Sequence, residues 1–300
     1  MKLAFVKLRY WWFAFSGILI VGSIIALAVF GLRLNIDFVG GSLLEVRFAS
    51  MAPANTEIAQ ALTDAGFEGV TVQPSEEQKA IIRTSSLSEE QHQKALEILR
   101  AKFGGVQEER FDSIGPVIGQ ELRRSAVVGV IVTLVLIGLY IAWAFRKVSE
   151  PVASWKYGLL TVFTSFHDVI VPLGVFAILG RFFGLEIGSA FIAAILTILG
   201  YSISDTVVVF DRTRENLQRH SGEDFGEIVE KSIAQTYMRS INTSVTTLLA
   251  LLAIFLFGGD TTRPFALALI IGIAVGTYSS IFIASPALVE WEHWKARRSA

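Results

Sequence analysis

Phe191-Ile-Ala-Ala-Ile-Leu-Thr-Ile-Leu-Gly-Tyr-Ser-Ile-Ser-Asp-Thr-Val-Val-Val-Phe210 is apolar over a length that crosses a bilayer, yet it carries a carboxylate, Asp205. About 20 helical residues span a hydrocarbon core of about 30 Å. A charged carboxylate at mid-depth costs about 2.5–3.5 kcal/mol on insertion scales, and packing does not need one. The stretch therefore predicts a membrane helix whose Asp205 is a proton or ion site facing other helices or water.

The surrounding composition agrees. Over 300 residues, 52% are hydrophobic and only 18% charged, against about 25% in an ordinary soluble domain. This points to a polytopic membrane protein. A net charge of −1 gives no bias toward nucleic acid, and none is expected as a partner. The absence of cysteine excludes disulfides, thiolate metal sites and cysteine nucleophiles. Lys2, Lys7 and Arg9 precede a first apolar run that is too long for a cleaved leader, so it reads as an uncleaved span.

Six segments reach spanning length: Trp11–Leu32, Ala126–Phe145, Tyr157–Leu179, Ile187–Phe210, Ile241–Phe257 and Pro264–Val289. Basic residues orient them. The N-terminus, the second-to-third connection (Arg146, Lys147, Lys156), the fourth-to-fifth connection and the C-terminus carry three, three, five and three Lys/Arg. The two short connections opposite carry one each, Arg181 and Arg263. Both termini are thus expected on the cytoplasmic side. Tyr10, Trp11, Trp12, Trp155, Tyr157, Trp291 and Trp294 fall where headgroup-level aromatics are favoured. The expected division is 1–32 (N-terminus and first span), 33–125 (outer domain), 126–289 (five spans) and 290–300 (cytoplasmic tail).

The outer region reads as a small α/β unit. Strands are expected over Leu43–Phe48, Val70–Val72, Ala80–Arg83 and Val106–Phe111. Helices are expected over Thr56–Ala65, and from an N-cap at Ser88 to Phe103 before Gly104-Gly105. The order β-α-β-β-α-β is the ferredoxin-like unit. His92, among Glu90, Gln91 and Gln93, reads as a solvated histidine.

More polar residues lie within the spans. His167-Asp168 sits halfway along the third, four residues before Pro172. Tyr201, Ser202 and Asp205 share a face of the fourth and could serve one carboxylate. Arg239, Asn242, Thr243, Thr246 and Thr247 make a polar stripe at the start of the fifth, where Arg239 is a candidate partner for Asp205. Loss of hydration and a nearby guanidinium act oppositely on a carboxylate, and that balance suits reversible proton loading. Gly272, Ala274, Gly276, Ser279 and Ser280 on the sixth span read as packing positions. Gly222–Tyr237 reads as a separate amphipathic helix along the inner interface, with Phe225, Ile228, Val229 and Ile233 on one face.

Three segments carry a family resemblance: Asn35-Ile-Asp37-Phe-Val-Gly40-Gly41-Ser42, Gly200-Tyr-Ser-Ile-Ser-Asp-Thr-Val-Val-Val-Phe-Asp-Arg212 and Ser240-Ile-Asn-Thr-Ser244. The chain resembles the SecF family, the smaller membrane subunits of the SecD–SecF protein-export complex, within the resistance-nodulation-division superfamily. The resemblance implies a non-enzymatic subunit of the bacterial inner membrane without cofactor or metal. It implies proton conduction through Asp205 with Arg239. The implied partners are a SecD-like subunit, the SecYEG translocon and an unfolded polypeptide in transit. Gly40, Gly41, Gly115 and Pro116 then flank the outer domain as hinge positions. Two other functions are weaker. A small-molecule proton antiporter of the same superfamily would carry larger outer domains. An intramembrane aspartyl protease would use Asp168 and Asp205, but its Gly-x-Gly-Asp signature is absent, because Ser202-Ile-Ser204 precedes Asp205.

Overall fold

The computed structural model describes residues 5–74, 78–146, 152–219, 222–259 and 262–299. Lys2 and Lys147, used above for orientation, lie outside them. In chain order the elements are α1 (Arg9–Phe30), α2 (Ile36–Val39), β1 (Gly41–Arg47), α3 (Asn55–Asp64), β2 (Thr71–Pro74), β3 (Lys79–Thr84), α4 (Glu89–Phe103) and β4 (Gln107–Ile114). There follow α5 (Pro116–Ala144), α6 (Ser154–Phe183), α7 (Ser189–Arg219), α8 (Phe225–Phe257), α9 (Arg263–Ser279), a π-helical turn (Ser280–Ala284) and α10 (Ser285–Ser299). They form two compact units, Leu34–Val127 and the remainder.

The smaller unit is an antiparallel sheet in the order β2-β3-β1-β4, the ferredoxin-like arrangement of a βαββαβ chain. Alternation places Leu44 and Val46 of β1 and Ala80 and Ile82 of β3 on one face. They meet Ile58 and Leu62 of α3 and Leu96 and Leu99 of α4 in a single buried cluster. Helix α4 begins with a full capping box, Ser88 accepting from Gln91 N and the Gln91 side chain accepting from Ser88 N. His92 is buried rather than solvated. Its ring stacks on Phe111 at 3.7 Å, with Nδ1 3.2 Å from Glu89 and Nε2 3.3 Å from Glu108. Glu90, Gln91 and Gln93 stay exposed, while His92 falls on the buried face with Ala95, Leu96 and Leu99, where the flat imidazole covers Phe111.

Ile36–Val39, just ahead of Gly40-Gly41, forms a short helix, α2, which the sequence does not announce. Asn35 caps it by accepting from Asp37 N at 2.9 Å. Gly40 and Gly41 both have positive φ, 78° and 128°. A Cβ on Gly40 would fall 2.7 Å from Pro116 Cα, and one on Gly41 2.8 Å from Thr84 O. Both glycines are thus required by backbone shape and close approach together.

In the larger unit, six helical stretches among the described residues have the length and hydropathy to cross a membrane: α1, α5, α6, α7, α8 and the composite Arg263–Trp294. Their burial differs sharply. Only 6% of the most apolar window of α5 is buried, against 56% for α6 and 61% for the last span. Helices α6, α7 and α9 therefore form the centre, and α1 and α5 turn large apolar side chains outward. Small residues allow the close approach: a Cβ on Gly272 would fall 2.1 Å from Ile198 Cδ1, and one on Gly276 2.9 Å from Ser202 Cβ.

Two expectations for this unit are corrected. The amphipathic segment is no separate interfacial helix; it is the first half of the 33-residue α8. Its apolar face, Phe225, Val229 and Ile233, packs with Phe5, Phe145, Leu288 and Val289 inside the protein. No glycine or proline interrupts Tyr237–Ile241, so the helix continues. Tyr157, expected among the interfacial aromatics, is turned into the protein and not onto its surface. It is fully buried, stacked on Phe145 at 5.2 Å and edge-on to Phe210 at 5.1 Å.

Candidate functional site: a polar seam inside the membrane unit

Helices α6, α7, α8 and α9 converge with small side chains at their contacts, and the hydroxyls among them form one seam. Asp168 of α6 is fully buried. Its Oδ2 accepts from Ser202 Oγ of α7 at 2.5 Å and from Ser279 Oγ of α9 at 2.7 Å. Its Oδ1 lies 2.9 Å from His167 Nδ1. A buried carboxylate is tolerated when donors surround it, and Asp168 collects three. It ties three helices together.

Asp205 of α7 is also buried, at 8% exposure, but it is served differently. Ser240 Oγ of α8 donates to its Oδ1 at 3.0 Å. Its Oδ2 is buried with no hydrogen-bond partner among the described residues. Of the two membrane carboxylates, Asp205 alone retains an open acceptor oxygen.

Other hydroxyls extend the seam. Thr206 Oγ1 lies 2.8 Å from Ser280 Oγ, and Ser280 Oγ donates to Ser202 O at 3.0 Å. Ser244 Oγ lies 2.5 Å from Thr277 Oγ1, and Tyr201 OH donates to Ser244 Oγ at 3.4 Å. The π-helical turn follows Ser279 directly, and wide turns of this kind recur at functional sites.

The shared face expected of Tyr201, Ser202 and Asp205 is divided among neighbours. Ser202 serves Asp168, Tyr201 turns to α8, and Ser240 takes the place at Asp205. Arg239 is exposed and lines a cavity of ≈ 350 Å³ with Asp211, Arg212, Glu215 and Gln235. No ion pair within 4.0 Å joins it to Asp205 among the described residues. Asn242, Thr243 and Thr246 are exposed with it along α8. Thr243 Oγ1 donates to Arg239 O at 2.7 Å and Thr246 Oγ1 to Asn242 O at 3.0 Å, so these hydroxyls are satisfied within their own helix. Asp37, Gly40, Gly41, Gly115 and Pro116 belong to the smaller unit. Gly115 is the single residue between β4 and α5, and a Cβ there would meet nothing within 4 Å.

Sequence reasoning missed Ser240, Ser279 and Ser280 as partners. Ser279 and Ser280 lie in a run of small residues and read as packing. The available signal was two adjacent serines in a span already rich in glycine, where packing alone needs no hydroxyl.

The family described as protein export membrane protein SecD/SecF, C-terminal, matches residues 94–294, and the SecD/SecF GG motif matches residues 25–50. The chain is 43% identical to the protein translocase subunit SecF of Thermobaculum terrenum, covering 96% of this chain and 93% of that one. It is 42% identical to the same subunit of Anaerolinea thermophila, covering 95% and 92%. The protein translocase subunit SecDF of Brucella abortus is 36% identical; the match covers 97% of this chain but 37% of that longer one. A crystal structure of SecDF, described as a translocon-associated membrane protein, from Thermus thermophilus, superposes with a TM-score of 0.83 at 34% identity. That match covers 98% of this chain and 39% of the solved one.

Proposed function

Because this chain belongs to the SecD/SecF family of protein-export membrane proteins, we propose that it assists polypeptide translocation by coupling proton movement through its membrane seam to its α/β unit. The observation that carries the proton step is the half-satisfied Asp205, buried with one oxygen on Ser240 and the other unpartnered. Asp168, saturated by Ser202, Ser279 and His167, serves as the fixed strut against which α7 is held. A proton reaching Asp205 finds an acceptor without displacing an existing donor.

The exposed stripe Arg239, Asn242, Thr243 and Thr246 supports a protein partner over lipid. A guanidinium and an amide at membrane level favour a polar surface opposite. A SecD-like subunit fits, since SecDF relatives carry a longer chain of which this one matches a part. On this reading Arg239 faces the partner and regulates Asp205 from the rim of the seam. The chain sits in the bacterial inner membrane with both termini cytoplasmic, beside the SecYEG channel, and the 33–125 region lies on the outer face against the emerging polypeptide. A small-molecule antiporter has less support, because the sheet of the small unit forms a single filled core.

Asp205→Asn keeps shape and hydrogen bonding but cannot titrate. In membrane vesicles containing the full complex, we expect normal insertion and partner binding with loss of export stimulation by the proton gradient. Arg239→Met should lose most of the stimulation with assembly retained. Wild-type stimulation in the Asn variant would remove the proton role, and wild-type stimulation in the Met variant would reduce Arg239 to an anchor.

A further inference from the structure

We propose that the cavity between the end of α5, α7 and α8 is a binding site for the anionic headgroup of a phospholipid, held through its phosphate by arginines. The cavity measures ≈ 350 Å³, and sites of about 300–1,000 Å³ hold small organic groups. Its sides differ in chemistry. Ala144, Phe145, Val207 and Val208 give an apolar side, and Arg212, Arg214 and Arg239 a cationic one. The division follows the sequence of α7, whose apolar run ends at Phe210 and which carries four charges within Asp211–Glu215. A membrane helix turns from apolar to charged where the bilayer passes from acyl chains to headgroups, and phosphates lie at that level. Basic pockets between membrane helices bind such headgroups.

The cations exceed the anions that reach them. Asp211 Oδ1 pairs with Arg214 Nη2 at 2.7 Å. Glu215 is shared: its Oε2 lies 2.7 Å from Arg212 Nη1 and its Oε1 2.7 Å from Arg219 Nη2. Two carboxylates thus serve three guanidiniums on α7, and among the described residues none lies within 4.0 Å of Arg239 on α8. Asp205 is buried on Ser240 and does not line the cavity. The cations are open to a ligand: the side chains of Arg212 and Arg214 are 40% and 39% exposed, and Arg239 is exposed. A guanidinium carries five N–H donors, so these pairs leave most of them unused, and a phosphate has the oxygens to take two such forks at once. A partner's carboxylate would leave the apolar side uncovered. A phospholipid covers both, its phosphate on the arginines and its first chain carbons on Phe145, Val207 and Val208. Asn242, Thr243 and Thr246 lie outside the cavity and stay free for a protein partner. The site does not depend on the proton reading of Asp205, and its test reads binding alone.

The test is mass spectrometry of the intact full chain released from a neutral detergent, titrated with phosphatidylglycerol or with phosphatidylcholine of the same acyl chains. Both have the phosphate and the tails, but only the first carries a net negative charge. We expect one phosphatidylglycerol to be retained, with phosphatidylcholine about ten-fold weaker. Arg239→Gln should weaken retention about ten-fold. Gln235→Glu keeps the acceptor that Asn216 Nδ2 uses at 3.0 Å and adds a negative charge to the cavity; it should weaken retention similarly with every arginine in place. Arg181→Gln, at the C-terminal end of α6, removes the same charge outside the cavity and should change nothing. Inorganic phosphate in large excess should not displace the lipid. Equal retention of the two lipids would overturn the proposal. So would an Arg181→Gln effect as large as that of Arg239→Gln, or unchanged retention in Arg239→Gln and Gln235→Glu. Displacement by inorganic phosphate would assign the cavity to a soluble phosphate and overturn the lipid headgroup as its occupant.

Discussion

At the residue scale, the seam separates two carboxylates that look equivalent in sequence. Asp168 is a junction and Asp205 is half open, because their donors come from different helices. The difference sets the outcome of removing single hydroxyls. Ser279→Ala deletes one of three donors to Asp168. Hydrogen bonds between membrane helices average about 0.6 kcal/mol and reach about 1.7, so we expect a loss near the upper figure, since the carboxylate is left buried. Asp168→Leu strands Ser202, Ser279 and His167 together and should cost more than the sum of single serine losses. Unfolding in mixed detergent micelles would measure both. Equal small effects for the two variants would contradict the junction role. Glu109 on β4 offers a pH-dependent case outside the membrane. Hydrogen bonds from Lys79, at 2.7 Å, and from Arg47 hold its carboxyl below the usual glutamate range. A depressed folded-state pKa contributes stability above the unfolded value, about 4.3, and that contribution is lost as pH falls through the folded value. The protection of amides in β1 and β3, relative to their intrinsic exchange rate at each pH, should therefore fall below about pH 4.3, and Glu109→Gln should flatten that dependence.

At the element scale, α7 and α9 are held by glycine contacts without bulky interdigitation. Gly272 allows Ile198 to lie against the α9 backbone. Gly272→Val should destabilise by about 1–3 kcal/mol through overpacking, and Ile198→Ala in the same chain should recover part of the loss. Failure of the second substitution to compensate would place the strain elsewhere. The π-helical turn Ser280–Ala284 sits where α9 has just delivered Ser279 to Asp168 and Ser280 to α7. An ordinary α-turn sets consecutive residues about 100° apart. The wider turn re-registers the helix so that Leu288 and Val289 beyond it still reach the buried cluster with Phe225 and Val229. A single local irregularity thus serves both a polar contact and an apolar one.

At the scale of the whole molecule, the proposed coupling requires movement at the join between β4 and α5. Gly40 and Gly41 are packed against Pro116 and Thr84, and only Gly115 is free of neighbours. Gly115→Val therefore introduces no clash but restricts the backbone before proline toward extended conformations. We expect the variant to fold and to reach the membrane normally, with reduced export stimulation by the proton gradient. Full stimulation would show that Gly115 is a simple turn. Because the chain has no cysteine, single cysteines at Thr56 and Glu292 can report orientation with an impermeant maleimide, with labelling from outside expected at Thr56 only.

Six spans and the βαββαβ unit were legible because their causes are local. Bilayer thickness demands a run of apolar residues, and strand and helix periods repeat within a few positions, so each element announces itself without its neighbours. Ser88, Gly104 and the Asp205 carboxylate could be read in the same way. The donor for each carboxylate was decided only in three dimensions. Ser202 stands three residues from Asp205 yet serves Asp168, and Ser240 serves Asp205 while Arg239 beside it faces outward. Helix azimuth and crossing set these pairings, and both arise from contacts between segments far apart in sequence. The amphipathic start of α8 was legible as a face, but that face could cover lipid or protein equally well. Phe5, Phe145 and Leu288, distant in sequence, settled what it covers. His92 was hidden for the same reason, because only the packing of α4 on β4 brings Phe111 beneath it.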